Sequence, residues 1–137
     1  MSHSGDYVDA LLAGDEANVL NIIDTLADRN EAYAGGKRAL TRWMRQNMAR
    51  CLANGIRMNA IAPGYITTPL NDKIEADPEL GEVNQAFAAS IPVGRKGEPE
   101  DVSRAAAFLL GTDSSFIANA ALFVDGGYDA LIRPNDF

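Results

Sequence analysis

The sequence predicts an α/β protein, with two short strands of a parallel sheet set among about five helices. Three observations predict it. Apolar residues recur at helical spacing through much of the chain. Two short apolar runs, 56–62 and 121–124, depart from that spacing and are bounded by glycine or proline. The first run opens into Pro63-Gly64 and then a long loop, as strands do at the carboxyl edge of an open parallel sheet.

Each element follows from local chemistry. Residues 6–28 read as one or two helices, because Gly14-Asp15 makes a break and a cap. Beyond it Val19, Leu20, Ile23, Leu26 and Ala27 recur at helical spacing. A longer helix is expected from about Glu31 to Ala53, with Leu40, Met44, Met48, Cys51 and Leu52 on its apolar side. Asn54-Gly55 ends it, since both residues accept the left-handed conformation of a helix terminus. Ile56 to Ala62 reads as a buried strand.

Residues 63–97 form an irregular excursion with helices at about 70–76 and 79–89. Proline at 63, 69, 78 and 92, with glycine at 64, 81, 94 and 97, punctuates it. Loops of that length in compact domains serve as lids or binding segments. Glu98-Pro99-Glu100-Asp101 then starts a helix, with proline in the first turn and acids at the positive end of the dipole. That helix runs to Leu110 and stops at Gly111. Ala121 to Val124 is the second strand, ended by Asp125-Gly126-Gly127.

The 137 residues are 47% hydrophobic and 23% charged, which suits one domain with a modest core. A net charge of −7 argues against nucleic acid and anionic membranes as partners, because phosphate contacts need clustered cations. The charge is divided: residues 1–36 carry −6, residues 37–62 carry +6 and residues 63–137 carry −7. Such blocks read as solvated helix faces that meet acidic neighbours, or as guidance for an acidic ligand. The lone Cys51 excludes an internal disulfide, and with the lone His3 it leaves no metal site to expect. The start has no cationic and apolar leader, and no apolar run approaches the roughly 18 residues of a membrane span. A cytoplasmic location is therefore expected.

Two groups of residues could carry chemistry. Tyr33 and Lys37 are four apart on the long helix and share a face. A phenol can give or take a proton, and a nearby ammonium favours its ionised form. Gly35-Gly36 between them costs about 1 kcal/mol per glycine relative to alanine, so something approaches this turn closely: a ligand, or simply another helix. The second group is the strand end, Pro63-Gly64-Tyr65-Ile66-Thr67-Thr68-Pro69-Leu70, where backbone groups and threonine hydroxyls could hold a polar ring substituent.

Four motifs stand in one order: Tyr33-Ala34-Gly35-Gly36-Lys37, Pro63-Gly64 through Thr68-Pro69-Leu70, Gly94-Arg95 through Asp101-Val102, and Phe123-Val124-Asp125-Gly126-Gly127. That order resembles the C-terminal half of the short-chain dehydrogenase/reductases, over about residues 31–137. The tail and the acidic helical segment before Tyr33 look most like that family's bacterial hydroxysteroid dehydrogenase/carbonyl reductase branch. The resemblance implies part of a Rossmann-like doubly wound sheet, whose N-terminal dinucleotide-binding half is not in these residues. It implies a single partial domain, 1–137: an acidic helical insert (1–30), a catalytic helix and strand (31–62), a substrate and cofactor loop (63–97), and a final helix, strand and tail (98–137).

The resemblance also implies roles. Tyr33 would be the acid–base group, exchanging a proton with a carbonyl or hydroxyl oxygen. Lys37 would assist it and hold the ribose of NAD or NADP. Pro63, Gly64 and Ile66 would pack on the nicotinamide, and Thr68 would add a hydrogen bond. Tyr65 and Leu70 would belong to the substrate lid, over a secondary alcohol or ketone. Asn59 and Asp125 would be structural. A dimer is implied, because the helix bearing Tyr33 often forms the subunit contact.

The sequence also departs from the pattern. It has no G-x-x-x-G-x-G phosphate loop and no Asn-Ala-Gly strand. Only Ser2 and Ser4 precede Tyr33 where the catalytic serine is sought. Asn119 stands where glycine is common, and asparagine tolerates the same backbone region. These gaps have an energetic meaning. A phenol titrates near 10, so poising one near 7 takes about 3 units, or roughly 4 kcal/mol. A cation about 4 Å away supplies ~1 kcal/mol in water and ~4 kcal/mol at an effective dielectric near 20. A chain without the enclosing half is thus expected to have little activity alone. The alternative is a non-catalytic remnant that serves as an oligomerisation or regulatory partner.

Overall fold

The computed structural model describes residues 3–77 and 81–135. Ser2, the side chain of Ser4, Pro78, the first two residues of the expected 79–89 helix and the last two of the tail lie outside them. The chain divides into two compact units, Met1–Met58 and Asn59–Phe137.

The first unit contains α1 (His3–Ala13), α2 (Glu16–Ile23) and α3 (Arg29–Ala53). Gly14, at φ +70°, separates α1 from α2 in a conformation that glycine adopts without strain. Asp15 caps α2 by accepting the Asn18 N–H at 3.1 Å. Asp28 does the same for α3, accepting the Glu31 N–H at 2.8 Å, while the Glu31 carboxylate reaches back to the Ala27 N–H at 2.9 Å. This exchange starts α3 at Arg29, slightly before the expected position. At the far end Gly55 has φ +73° and the Ile56 N–H returns to the Cys51 carbonyl at 2.9 Å, as the Asn54-Gly55 signal implies.

The buried stripe of α3 differs from the expected one. Gly35, Ala39 and Met44 are buried, whereas Leu40 and Leu52 are 55% and 41% exposed. The reason lies in α1, which packs on α3 and buries Tyr7, Val8 and Ala10. A Cβ at Gly35 would lie 2.7 Å from the Tyr7 ring, so small residues mark where α1 comes close and the large ones turn outward. Helix packing therefore accounts for one glycine of the pair; a Cβ at Gly36 would meet none of the described residues within 4 Å.

The second unit is built on β1 (Ala60–Pro63) and β2 (Ala121–Val124), which pair in parallel with Ala60 opposite Ala121 and Pro63 opposite Val124. The strand expected at 56–62 is thus shorter and starts later. β2 offers only four partners, and the Asn59 side chain takes over where the ladder stops. Its amide donates to the Ile117 carbonyl at 3.1 Å and its oxygen accepts the Ala120 N–H at 3.0 Å, the structural role expected of it. Pro63 has no N–H to give, and the Gly64 N–H bonds the Val124 carbonyl at 3.0 Å beyond it.

Around this ladder lie α4 (Pro69–Glu75), α5 (Gly81–Ala89), α6 (Pro99–Leu110) and α7 (Tyr128–Ile132), with a 3-10 turn at Thr112–Ser114. The described residues therefore hold seven α-helices rather than about five. The short α7 is the element that spacing did not reveal. It forms because Gly126 and Gly127, both at positive φ, reverse the chain, and the Asp125 carboxylate accepts the Gly127 N–H at 2.9 Å and the Asp129 N–H at 2.7 Å. α6 packs on both strands and buries Leu109. Its start is fixed by Asp101, which accepts the Glu98 N–H at 2.8 Å. Beyond its end the buried Ser114 hydroxyl donates to the Leu109 carbonyl at 2.9 Å. Asn119 adopts φ +62°, the glycine-like conformation expected there.

Candidate active site

In the first unit, the early turns of α3 carry Tyr33 and Lys37. The helix stacks the two side chains, and the Lys37 ammonium stands 5.2 Å from the centre of the Tyr33 ring. Tyr33 is 70% exposed, and Lys37 is exposed too. The open space beside Gly36 lies between them in sequence. This arrangement offers a phenol hydroxyl and a cation on one accessible helix face.

In the second unit, the chain leaves β1 through Pro63, which is exposed, and Gly64. A Cβ at Gly64 would lie 2.6 Å from the Asp125 Cα, so only glycine lets the turn press against the end of β2. Ile66 pairs with Gly97 in an isolated parallel bridge, made by the Gly97 N–H to the Tyr65 carbonyl and the Thr67 N–H to the Gly97 carbonyl, both at 2.8 Å. The Ile66 carbonyl accepts the Asn71 side chain at 2.6 Å. Thr68, half-buried, accepts the Asn71 N–H at 3.3 Å and so steadies the start of α4. Leu70 is 67% exposed on α4, while Tyr65 is only 6% exposed.

Two cavities border these residues. One, of about 310 Å³, is lined by Pro63, Gly64, Phe87, Tyr128 and Ile132 among others. The other, of about 360 Å³, is lined by Tyr65, Ile66, Ile91, Val93, Arg95 and Phe123 among others. Both sit at the carboxyl ends of the strands, where open α/β sheets take ligands. Arg95 beside the larger cavity is neutralised: its guanidinium pairs with Asp101 through bonds of 2.7 and 3.0 Å. Arg95, helped by the Glu98 N–H, holds the Asp101 carboxyl well below the usual range. Among the described residues no cluster of three or more histidine, cysteine or acidic side chains could hold a metal, and no helix is long and apolar enough to cross a membrane.

A family model described as Enoyl-(Acyl carrier protein) reductase matches residues 17–129. The chain is 39% identical over 130 residues to 3-alpha-hydroxysteroid dehydrogenase/carbonyl reductase of Comamonas testosteroni, covering 93% of this chain and 50% of that protein. This chain belongs to the short-chain dehydrogenase/reductase family. It is likewise 37% identical to cis-4-hydroxycyclohexanecarboxylate dehydrogenase of Sinomonas cyclohexanicum, over 94% of this chain and 50% of that one. The crystal structure of a 3-alpha-hydroxysteroid dehydrogenase from Pseudomonas sp. B-0831, complexed with NADH, superposes with a TM-score of 0.84 at 44% identity, covering 96% of this chain and 51% of that one. The chain thus spans about half the length of the relatives it matches.

In this member of the short-chain dehydrogenase/reductase family, the sequence singles out the Tyr33–Lys37 pair and the Pro63–Thr68 turn, and the structure keeps each group together within its own unit. Sequence reasoning missed Glu75 and Lys96. The Glu75 carboxylate accepts the Tyr65 hydroxyl at 2.6 Å and also pairs with the Lys96 ammonium. The Lys96 and Tyr65 bonds hold the Glu75 carboxyl below its ordinary value. No periodicity joins residues so spaced, and a sequence carries no signal for the contact.

Proposed function

We propose that the chain contributes the catalytic half of an NAD- or NADP-dependent oxidoreductase that interconverts a secondary alcohol and a ketone, on an alicyclic or steroid-like substrate. The nicotinamide, when bound, supplies or accepts the hydride. Tyr33 passes a proton between its hydroxyl and the substrate oxygen, and Lys37 offsets the negative charge that this creates while holding the ribose hydroxyls. Pro63, Gly64 and Ile66 would hold the nicotinamide, and Thr68 would add a hydroxyl. Each unit by itself has residues suited to the cofactor: in the second, Pro63 is exposed beside a cavity of about 310 Å³, and in the first the Lys37 ammonium is open to solvent. The substrate class is supported by the names of the relatives, a hydroxysteroid and a hydroxycyclohexanecarboxylate dehydrogenase.

The observation that carries this reading is the Lys37 ammonium 5.2 Å from the Tyr33 ring on an accessible face. Its test follows nicotinamide absorbance with the purified chain, NAD or NADP and an alicyclic secondary alcohol. Slow turnover is expected, falling by about a hundredfold or more on Tyr33→Phe. Turnover that survives this change overturns the assignment. A second reading, a non-catalytic partner for full-length relatives, is favoured by the 70% exposure of Tyr33, which leaves the phenol in water. Complete inactivity of a folded chain supports it. In either case we propose a homodimer formed through α3, whose Leu40 and Trp43 are 55% and 44% exposed; sedimentation across a concentration series measures it.

A further inference from the structure

Glu75, the last residue of α4, meets two side chains from distant parts of the second unit. Its Oε1 accepts the Tyr65 hydroxyl at 2.6 Å and the Lys96 ammonium, and that ammonium stands 5.4 Å from the centre of the Tyr65 ring. One oxygen is therefore the meeting point of the turn after β1, the end of α4 and the connection into α6. Tyr65 is buried at 6% exposure, and the Glu75 and Lys96 side chains are partly covered, at 22% and 35%. Two backbone features concentrate on the same place. Ile66 and Gly97, the neighbours of Tyr65 and Lys96, are bridged. Gly81, which opens α5, lies so near that a Cβ there would stand 2.5 Å from the Glu75 carbonyl oxygen. An exposed ion pair alone is worth little, whereas a charge-assisted network shared by three groups is stronger.

We propose that Glu75 and Lys96 are positioning residues, which together hold the Tyr65 ring as a wall of the cavity of about 360 Å³ and fix the end of α4 beside it. That this cavity takes the substrate rests on the oxidoreductase reading above; the held ring does not. Tyr65 is packed at 5.5 Å and 65° against Phe87, which in turn packs at 4.4 Å and 81° against Tyr128, so a displaced Tyr65 loosens an aromatic row that reaches the neighbouring cavity. Lys96 and Tyr65 face the Glu75 carboxylate. Lys73 on α4 and Glu82 in the first turn of α5 are further charges on the elements packed here. The Glu75 carboxyl is held below its ordinary value, so the network is complete at neutral pH and is lost as the pH falls through that lowered value.

The chain contains four tyrosines, and ring-labelled tyrosine gives each a separate magnetic-resonance signal, that of Tyr65 being identified by Tyr65→Phe. Glu75→Gln and Lys96→Met are expected to move the Tyr65 signal to a common released position, with amides of 70–75 exchanging about tenfold faster. Acidifying the wild-type chain should bring it to that position, Glu75→Gln should abolish the pH dependence, and Glu75→Asp should restore part of it. The amides of β1 and β2 report whether the unit stays folded. A Tyr65 signal equal in wild type and Glu75→Gln overturns the proposal, and so does one that moves only together with the strand amides. These signals need neither cofactor nor turnover, so their outcome is separate from that of the proposed reaction.

Discussion

Gly64 and Asp125 are in backbone contact: a Cβ on the former would lie 2.6 Å from the Cα of the latter. The obstacle is main chain at the end of the parallel ladder, which cannot rotate away as a side chain can. Gly64→Ala is therefore expected to cost about 1–3 kcal/mol or more. Gly36→Ala, in open space within α3, should stabilise by about 1 kcal/mol through helix propensity alone. Urea unfolding of the two variants beside wild type measures the contrast, and equal midpoints would refute it.

Asn119 gives a second contrast. Its φ of +62° is one that asparagine tolerates better than most side chains and glycine adopts freely, and its buried Oδ1 has no hydrogen-bond partner among the described residues. Asn119→Gly should leave stability unchanged or raise it, since it removes both liabilities. Asn119→Ala should lie about 1–2 kcal/mol below Asn119→Gly, because it removes the oxygen but keeps the strain. Thermal midpoints of the pair decide the matter.

Acid should weaken the second unit through Asp101. Its carboxyl is held well below the ordinary value by Arg95 and then by the Glu98 N–H, so the folded state favours the ionised form. That contribution is fully present above the unfolded value near 4 and disappears as the pH falls through the lower folded value. Asp101→Asn should remove this part of the acid dependence and lower stability at neutral pH. Unfolding midpoints taken across the acid range test both effects.

Lys37 lies on the surface, and replacing it should leave the fold alone. Lys37→Met is expected to keep the unfolding midpoint within about 0.5 kcal/mol of wild type. Turnover by the proposed reaction should fall by about tenfold or more, since the charge beside the phenol is gone. Lys37→Arg should recover part of the rate if charge matters and less if the ribose contact does. Unaltered steady-state rates in Lys37→Met would remove Lys37 from the chemistry.

The parts of the fold that the sequence disclosed are those whose causes are local. Gly14-Asp15, Asn54-Gly55, Glu98-Pro99 and Gly111 bound their helices through contacts within a turn. The Tyr33–Lys37 pair was equally legible, because the helix itself sets the spacing. Burial on α3 was not, since Leu40 and Ala39 look alike to a spacing rule until α1 is in place to choose the smaller. The late start of β1 depended on Asn59 and partners 58 and 61 positions away. Glu75 stayed hidden for the same reason, its partners lying 10 and 21 residues off.

The corner made by Arg95, Glu98 and Asp101 closes over loops of three and six residues. The ladder from Asn59 to Ala120 must first bring together segments 61 positions apart. Loop closure over short spans is entropically cheap and fast, and parallel pairing across long ones is slow. In a refolding experiment, amide protection should therefore appear at the head of α6 before it appears along β1. A nascent chain would carry a shaped α6 corner while its strands were still searching for each other.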